Sequence, residues 1–187
     1  MTESQRDTVT DRIQNPKSRI PEIEVPAPWF AIWTRSRAER TVADQLARKQ
    51  IEVFLPTVQR WSRWKDRKKK IDWPLFPGYC FARFDPRGTL EVLSCVGVAS
   101  VISFDSVPAP IPHAEIEVIQ RLVETELQFD PCPLLHEGEL VEVIHGPLKG
   151  AIGRLIHKGP RARLVLAITM INRAVAVTFD AADVRKY

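Results

Sequence analysis

The stretch RWSRWKDRKKKIDWPLFPGY, residues 60–79, joins a strongly basic run to a short apolar turn. Its first fourteen residues carry seven cations against two aspartates, which leaves a net charge of +5. Such a run predicts a surface that attracts phosphate. The turn at 74–79 instead predicts a fixed bend that presents an aromatic residue to a core or to a partner. The seven cations are Arg60, Arg63, Lys65, Arg67, Lys68, Lys69 and Lys70.

The chain as a whole has 187 residues, a net charge of +4 and a pI near 9.1. This is a mild excess of base, which favours an anionic partner only weakly. Its three cysteines, Cys80, Cys95 and Cys132, have the spacing of neither a disulfide framework nor a zinc site, so a reducing cytoplasm is expected. The polar N-terminus lacks the apolar core of a signal peptide, and no apolar run approaches the roughly 20 residues that span a bilayer.

The sequence offers no support for catalysis. The four histidines are scattered without metal-ligand spacing, and neither of the common glycine-rich phosphate-binding patterns occurs. Cys80 lies in an apolar run, where a small buried hydrophobe is the stronger interpretation than a nucleophile. We therefore expect a non-enzyme without metal or cofactor.

Changes in composition divide the chain into four segments. Residues 1–27 have few large apolar side chains and are expected to form a disordered tail. Residues 28–128 have regular periodicity and are predicted to form a first domain. Two prolines near residue 132 disfavour both helix and sheet, so a linker is predicted over 129–137. Residues 138–187 are predicted to form a second domain.

The first domain is predicted to begin with a buried strand and a helix. Residues 29–35 form an aromatic-rich apolar run that fits such a strand. Ser36 and Glu39 then have the spacing of a capping box at a helix start. Val42 and Leu46 lie four residues apart on one predicted apolar face, and the helix is expected to end near residue 50.

The rest of the first domain is predicted to complete an α+β fold. A last helix is expected from Pro112 to about Leu127, with Ile116 and Ile119 on its apolar face. The order of elements indicates helices packed on a small, mainly antiparallel sheet. Further strands are predicted at 51–58, 79–84 and 98–104.

The second domain carries no helical period. Its short alternating runs are separated by glycines and by a turn near residue 172. Several short strands within about fifty residues predict a small SH3-like β-barrel.

Motifs in both predicted domains resemble the NusG family of transcription elongation factors, over residues 29–187. In the first domain the resemblance rests on Trp29-Phe30, on the motif LFPGY at 75–79 and on Gly97-Val98. In the second it rests on the KOW-like pattern of 141–153, which contains Gly146-Pro147-Leu148, Gly150 and Gly153. The prolines around Leu75-Phe76 and the pattern of 81–86 lean toward the specialised RfaH and UpxY-like paralogues.

The resemblance implies docking on the coiled-coil clamp helices of RNA polymerase. Phe76, Tyr79 and Phe81 match the family's apolar docking patch by position, and Trp33 is a nearby candidate. The alternative is that all four residues are core, because a domain of this size needs several buried aromatics. Docking is favoured by the turn, in which a phenylalanine between leucine and proline can be presented at a surface.

The resemblance also places the basic run in a hairpin that the family inserts between two strands of the first domain. A bound factor would project this tip toward non-template DNA or nascent RNA. Trp61, Trp64 and Trp73 are candidates for stacking on unpaired bases. The alternative is a solvated charged face, with tryptophans that pack across the two strands.

A second set of cations surrounds the start of the first predicted helix. Arg35, Arg37 and Arg40 form this set and are candidates for DNA contact. Cys95-Val96 stands where RfaH-like members use polar, DNA-reading residues, so recognition of the same DNA element is not implied.

The family's contact loop in the second domain is matched by Met170, Ile171, Asn172 and Arg173. The resemblance implies that this loop contacts a small-subunit ribosomal protein (NusE), and that Ile171 is exposed at a hairpin tip. Ile171 stands where housekeeping members usually carry phenylalanine, which leaves contact with the Rho terminator open. A monomer is expected. Two other interpretations are a housekeeping factor that assists Rho, and a ribosome- or RNA-binding KOW protein without polymerase contact.

Overall fold

The computed structural model describes residues 26–64, 67–125, 127, 129–133, 138–158, 161–178 and 180–187. Side chains of residues 61–69, 130, 133, 157–158, 161–162 and 181 are not part of the description. The predicted disordered tail, up to residue 25, lies outside the described residues.

The first part of the chain alternates short strands with helices, as the predicted α+β class requires. The short helix α2 lies between β5 and β6. The elements are β1 (Trp29–Thr34), α1 (Glu39–Arg48), β2 (Glu52–Phe54), β3 (Thr57–Trp64), β4 (Arg67–Pro74), β5 (Tyr79–Arg83), α2 (Thr89–Leu93), β6 (Val98–Val101), β7 (Ser103–Phe104), β8 (Val107–Pro108), β9 (Pro110–Ile111) and α3 (His113–Val123).

The N-terminal sheet is antiparallel and is built around β1. Its strand order is β2-β5-β1-β6, and β9 also pairs with β1. The register places Trp33 opposite Tyr79 on one side and opposite Ser100 on the other. β1 is therefore an interior strand, which explains why its sequence is almost continuously apolar.

Two core clusters cover the two faces of this sheet. On one face Phe30 and Ile32 pack with Val42 and Leu46 of α1, all at most 1% exposed. On the other face Trp29 and Ala31 belong to a cluster that contains Phe76, Phe81 and residues of α3. The alternation along β1 thus assigns each side chain to one cluster or the other. The α3 members of the second cluster include Ile116, Ile119 and Leu122.

The start of α1 differs from the predicted capping box. The helix begins at Glu39 rather than after Ser36, and its N-cap, Ala38, makes no side-chain capping bond. The Glu39 carboxylate instead accepts a hydrogen bond from the backbone amide of Gly78, at 2.7 Å. A tertiary contact therefore uses the acidic residue that the sequence pattern assigns to the helix end.

The basic run forms the predicted hairpin, in which β3 pairs with β4 over its whole length. The register sets Trp61 opposite Lys70 and Trp64 opposite Arg67. The hairpin forms a sheet of its own and does not pair with the N-terminal sheet. Because no strand pairing joins the two sheets, a cleft can lie between them.

The second part of the chain forms a six-stranded antiparallel sheet, called here the C-terminal sheet. Its order is β10-β14-β13-β12-β11-β15, and among the described residues no pairing joins the two ends. The predicted β-rich class is confirmed, and the closed SH3-like barrel stays a prediction. The strands are β10 (Phe129–Pro133), β11 (Glu139–Val143), β12 (Ile152–Lys158), β13 (Arg161–Ile168), β14 (Arg173–Thr178) and β15 (Val184–Lys186).

The expectation that prolines exclude residues 129–133 from a sheet is wrong. β10 pairs with β14, with Pro131 opposite Val175 and Pro133 opposite Arg173. β10 is the terminal strand of the sheet order. A proline removes only one backbone donor, and an edge strand has donors that need no partner within the sheet.

Helix α3 contacts the C-terminal sheet directly. The Glu115 carboxylate accepts hydrogen bonds from the Thr169 backbone amide at 3.0 Å and from the Thr169 hydroxyl at 2.9 Å. Arg121 Nη1 donates to the Lys149 carbonyl at 2.9 Å. Apolar residues of α3 and of the sheet, such as Val118 and Leu166, belong to one buried cluster. The two parts of the chain are thus packed together in this arrangement.

Candidate interaction surface

An open cleft of about 940 Å³ lies between the N-terminal sheet and the β3–β4 hairpin. Its apolar lining comes from both walls and from the turn at 74–79. Exposed arginines just before α1 and at its start also line it. The lining includes Trp33, Arg35, Arg37, Glu39, Arg40, Leu55, Ile71, Asp72, Trp73, Pro74, Pro77 and Gly78.

Two tryptophans stand half exposed in this cleft. Trp33 of β1 is 51% exposed and Trp73 of β4 is 47% exposed. Trp29, on the same face of β1 as Trp33, is only 2% exposed. The residues that pack on this face of the sheet therefore bury Trp29 but leave Trp33 accessible.

The turn at 74–79 is held from both sides. The Thr34 amide donates to the Gly78 carbonyl at 2.8 Å, and the Gly78 amide donates to Glu39. Gly78 has a φ of +85°, a conformation that favours glycine. A Cβ added there would lie 3.9 Å from two atoms of the Trp33 indole. That distance is an ordinary van der Waals contact, so the backbone conformation, and not the space beside Trp33, favours glycine here.

The three predicted arginines of the second cationic set come together at the mouth of the cleft. Arg35, Arg37 and Arg40 are all exposed and all line it. Arg37 has a φ of 61°, which is unusual for a residue other than glycine. Arg40 reaches across to Asp72 of β4, with Nη2 and Oδ2 3.8 Å apart. Both groups are well exposed, so this ion pair contributes little to stability.

The four predicted polymerase-docking residues separate into two groups. Phe76 and Phe81 are buried, at 1% and 0% exposed, and their rings meet edge to face with centroids 5.9 Å apart. Tyr79 is half-buried and packs against the same cluster. Trp33 is the most accessible of the four residues. Phe76 and Phe81 therefore support the turn from inside, as the core interpretation holds.

Of the predicted basic hairpin residues, Arg60 and Lys70 have described side chains, and both are exposed. Lys65 lies outside the described residues. For the remaining members only the backbone is described, within β3 and β4. These members are Trp61, Arg63, Trp64, Arg67, Lys68 and Lys69.

The predicted contact loop of the second domain is not an exposed hairpin tip. Thr169–Ile171 forms a 3₁₀ turn, in which Ile171 is 6% exposed and Met170 is half-buried. Asn172 and Arg173 are exposed, and Asn172 has a φ of 53°. Ile171 belongs to the buried cluster that also contains residues of α3. The expectation that Ile171 is exposed is therefore wrong.

Other chemistry is weakly supported within the described residues. They contain no group of three or more histidine, cysteine or acidic residues placed to hold a metal ion. Burial raises the pKa of the Cys80 thiol to about 12, which makes it unreactive. None of the described helices has the length and apolar character needed to cross a bilayer.

Sequence reasoning did not find two acidic members of the cleft, Glu39 and Asp72. In the sequence, Glu39 has the spacing of a capping box, and Asp72 is only a negative charge within the basic run. Their roles depend on contacts with Gly78 and Arg40, at 39 and 32 residues' separation. No local pattern carries that information.

The fold and the cleft define a class: an α+β part that contains a basic β3–β4 hairpin, followed by an antiparallel sheet. Residues 27–120 match the family model "Transcription termination factor nusG". This match covers half of the chain, and the chain belongs to the NusG family. That family consists of transcription factors without enzymatic activity, which act in elongation and its regulation.

A solved structure of a NusG protein shows the same fold. The structure titled "Domain interaction in Thermotoga maritima NusG" is 22% identical, with a TM-score of 0.53, over 85% of this chain and 96% of that one. A chain from the MjSpt4:Spt5 complex is 20% identical, with a TM-score of 0.28, over 84% of this chain and 95% of that one. A search of curated proteins finds no significant match.

Proposed function

We propose that this protein is a transcription elongation and antitermination factor. In this proposal the first domain docks on RNA polymerase and also contacts the nucleic acid of the transcription bubble. The observation that carries it is the cleft, because a NusG-family domain here brings the LFPGY turn and the arginines of 35–40 together. A cytoplasmic monomer fits this role.

Docking on the polymerase clamp helices would use the accessible side of the turn. Pro77 is exposed and lines the cleft, Tyr79 is half-buried, and Trp33 lies in register with Tyr79. Phe76 and Phe81 fix the turn from behind. Aromatic side chains backed by a rigid core are typical anchors of protein interfaces.

Replacing Tyr79 by alanine is expected to weaken binding to RNA polymerase by about 1–3 kcal/mol. Tyr79→Phe keeps the ring and should bind nearly as well as wild type. Tyr187→Ala, which removes an exposed aromatic from the C-terminal end, is a matched control. Affinity is measured with purified core polymerase and the full chain. Unchanged affinity in a folded Tyr79→Ala variant would exclude this docking face.

The cations of the hairpin would contact the phosphates of the nucleic acid. Each phosphate contact on a single strand adds about −0.7 to the slope of log affinity against log salt. Phosphate contacts do not read bases, so different sequences should be affected about equally.

Changing Lys68, Lys69 and Lys70 together to glutamine should flatten this slope and weaken binding to stalled elongation complexes. The measurement is a salt titration of factor affinity for wild type and variant. Lys149→Gln removes one cation from the C-terminal part and controls for the effect of net charge alone. An unchanged slope in the triple variant would show that the three lysines form only a solvated face.

The C-terminal sheet would supply the contact with the translation machinery. We propose that it corresponds to an SH3-like KOW barrel that binds a small-subunit ribosomal protein such as NusE near residues 170–173. We further propose a specialised RfaH- or UpxY-like role rather than assistance to Rho, because the prolines around Leu75-Phe76 and the pattern of 81–86 lean toward those paralogues. Failure of added Rho to bind the full chain is the expected result.

A further inference from the structure

A second basic region of the chain lies in the C-terminal sheet. Residues 144–179 contain six lysines and arginines but no aspartate or glutamate. Four of these six cations belong to β12 and β13, and the proposed contact near residues 170–173 does not use them. Such separation of charge indicates an anionic partner. The four cations are Arg154, Lys158, Arg161 and Arg163.

The strand register places these four positions on one face of the sheet. Ile156 lies opposite Arg163, and Lys158 lies opposite Arg161. Arg154 is two residues from Ile156 on the same strand. Directly opposite residues share a face of a sheet, and every second residue of a strand returns to that face. We call this side of the C-terminal sheet the basic face.

The basic face continues across β11 to β15. Glu142 of β11 lies opposite Ile152 on one side and opposite Arg185 on the other. The Arg185 guanidinium pairs with the Glu142 carboxylate at 2.8 Å, and its side chain is 66% exposed. Asp130 of β10, opposite Ala176, is a second acid whose position falls on this face. Five cations against two acids leave a net charge of +3.

The basic face offers little accessible apolar surface. Its middle consists of the short side chains of Val165, Ala174 and Ala176, which are at most 2% exposed and form a cluster of their own. Accessible aliphatic side chains are found at one end, where Leu140 is 38% and Ile152 is 43% exposed. An amphipathic helix would need an apolar stripe along its whole length, so a protein of that kind fits poorly.

The β12–β13 hairpin also lacks the aromatic side chains that stack on unpaired bases. Residues 152–165 contain no phenylalanine, tyrosine or tryptophan. Surfaces that bind single strands without sequence preference typically combine cations with such aromatic residues. Cations without them can contact phosphates but cannot hold unpaired bases.

We propose that the basic face binds double-helical RNA through its phosphates. The inference rests on the proposed contact with a small-subunit ribosomal protein, because such a protein is surrounded by folded RNA. Arg185 and Arg163 lie on β15 and β13, three strand spacings apart, which is about 14 Å. The grooves of a double helix have a similar width, about 12 Å for the major groove of B-form DNA, so these arginines can reach phosphates of both strands. Double-helical RNA is recognised mainly by its shape and by phosphate and 2′-hydroxyl contacts, so little sequence preference is expected.

The test measures binding of the full chain to an RNA hairpin with a stem of about 16 base pairs, without polymerase or ribosome. Lys68, Lys69 and Lys70 are replaced by glutamine in every protein compared, so that the β3–β4 hairpin contributes less to binding. Combining Arg163→Gln with Arg185→Gln should flatten the slope of log affinity against log salt by about 2, since each lost phosphate contact removes about 1. Arg163→Lys with Arg185→Lys keeps both charges and should keep the slope.

The matched control combines Arg48→Gln with Lys149→Gln. Both residues are exposed cations outside the basic face, and the change in net charge is the same. This control should leave the slope unchanged. Single-stranded RNA of the same length should bind less tightly than the hairpin, and an oligoglutamate peptide should not compete with it.

An unchanged slope in the folded glutamine variant of Arg163 and Arg185 would overturn the inference. Tighter binding of the single strand, or competition by oligoglutamate, would overturn it too. Binding of purified NusE to the same proteins is measured in parallel. If NusE binds and the RNA hairpin does not, the inference fails and the proposed function stands. If the RNA hairpin binds as expected and NusE does not, the RNA site stands and the proposed protein partner fails.

Discussion

Phe76→Ala is expected to lower the free energy of unfolding by about 3–5 kcal/mol, as for other large buried aromatics. The ring is 1% exposed and packs edge to face on Phe81, within the cluster that joins β1, the turn and α3. Its removal would leave a cavity that the surrounding strands cannot easily fill. Denaturant unfolding of the full chain, followed by circular dichroism, measures the loss.

Tyr79→Ala separates this structural effect from recognition. Tyr79 lies three residues further along the same turn but is only half-buried, so its removal should cost less stability than that of Phe76. A Phe76→Ala variant that unfolds at the wild-type denaturant concentration would show that the ring is not core. If Phe76→Ala lowers polymerase binding only in proportion to the unfolded fraction, Phe76 acts by supporting the turn.

The helices and the central strand could be predicted because the spacing of their apolar residues in the sequence indicates which side chains are buried. Val42 and Leu46 recur at helical spacing, and both are fully buried. Ile116 and Ile119 do the same in α3. The apolar run that became β1 is buried on both faces, which a continuous apolar pattern indicates.

Elements that depend on distant contacts were not predictable in the same way. β10 contains two prolines and forms because it pairs with β14 at the edge of the C-terminal sheet. Glu39 has the spacing of a cap but is used by Gly78, which lies 39 residues away. In both cases a tertiary partner overrides the local preference of the sequence.

The cleft shows the same limit for function. Its residue types were visible in the sequence, since Trp33, Trp73 and the arginines of 35–40 were all singled out. Trp33 and Trp73 are forty residues apart, and no pattern indicates that the sheet and the hairpin place them in one cleft. Exposure likewise separates Trp33 from Phe76 and Phe81, although the sequence indicates one patch for all three.

Ile171→Ser is expected to destabilise the C-terminal part by about 3–5 kcal/mol, because it removes a buried aliphatic side chain and buries a hydroxyl in its place. Ile171 is 6% exposed and belongs to the cluster shared with α3. Ile152→Ser is the matched control, since Ile152 of β12 is 43% exposed and should tolerate the change. Thermal unfolding of both variants gives the comparison.

The same pair of variants tests what Ile171 can offer to a partner. The Thr169 amide and hydroxyl beside it are engaged by Glu115 of α3, so a ribosomal protein that uses Ile171 must first displace this contact. Glu115→Ala should then increase hydrogen exchange at residues 169–171, whereas Glu117→Ala, on the exposed side of the same helix, should not. If Ile171→Ser leaves the unfolding temperature unchanged and abolishes partner binding, Ile171 is an exposed anchor.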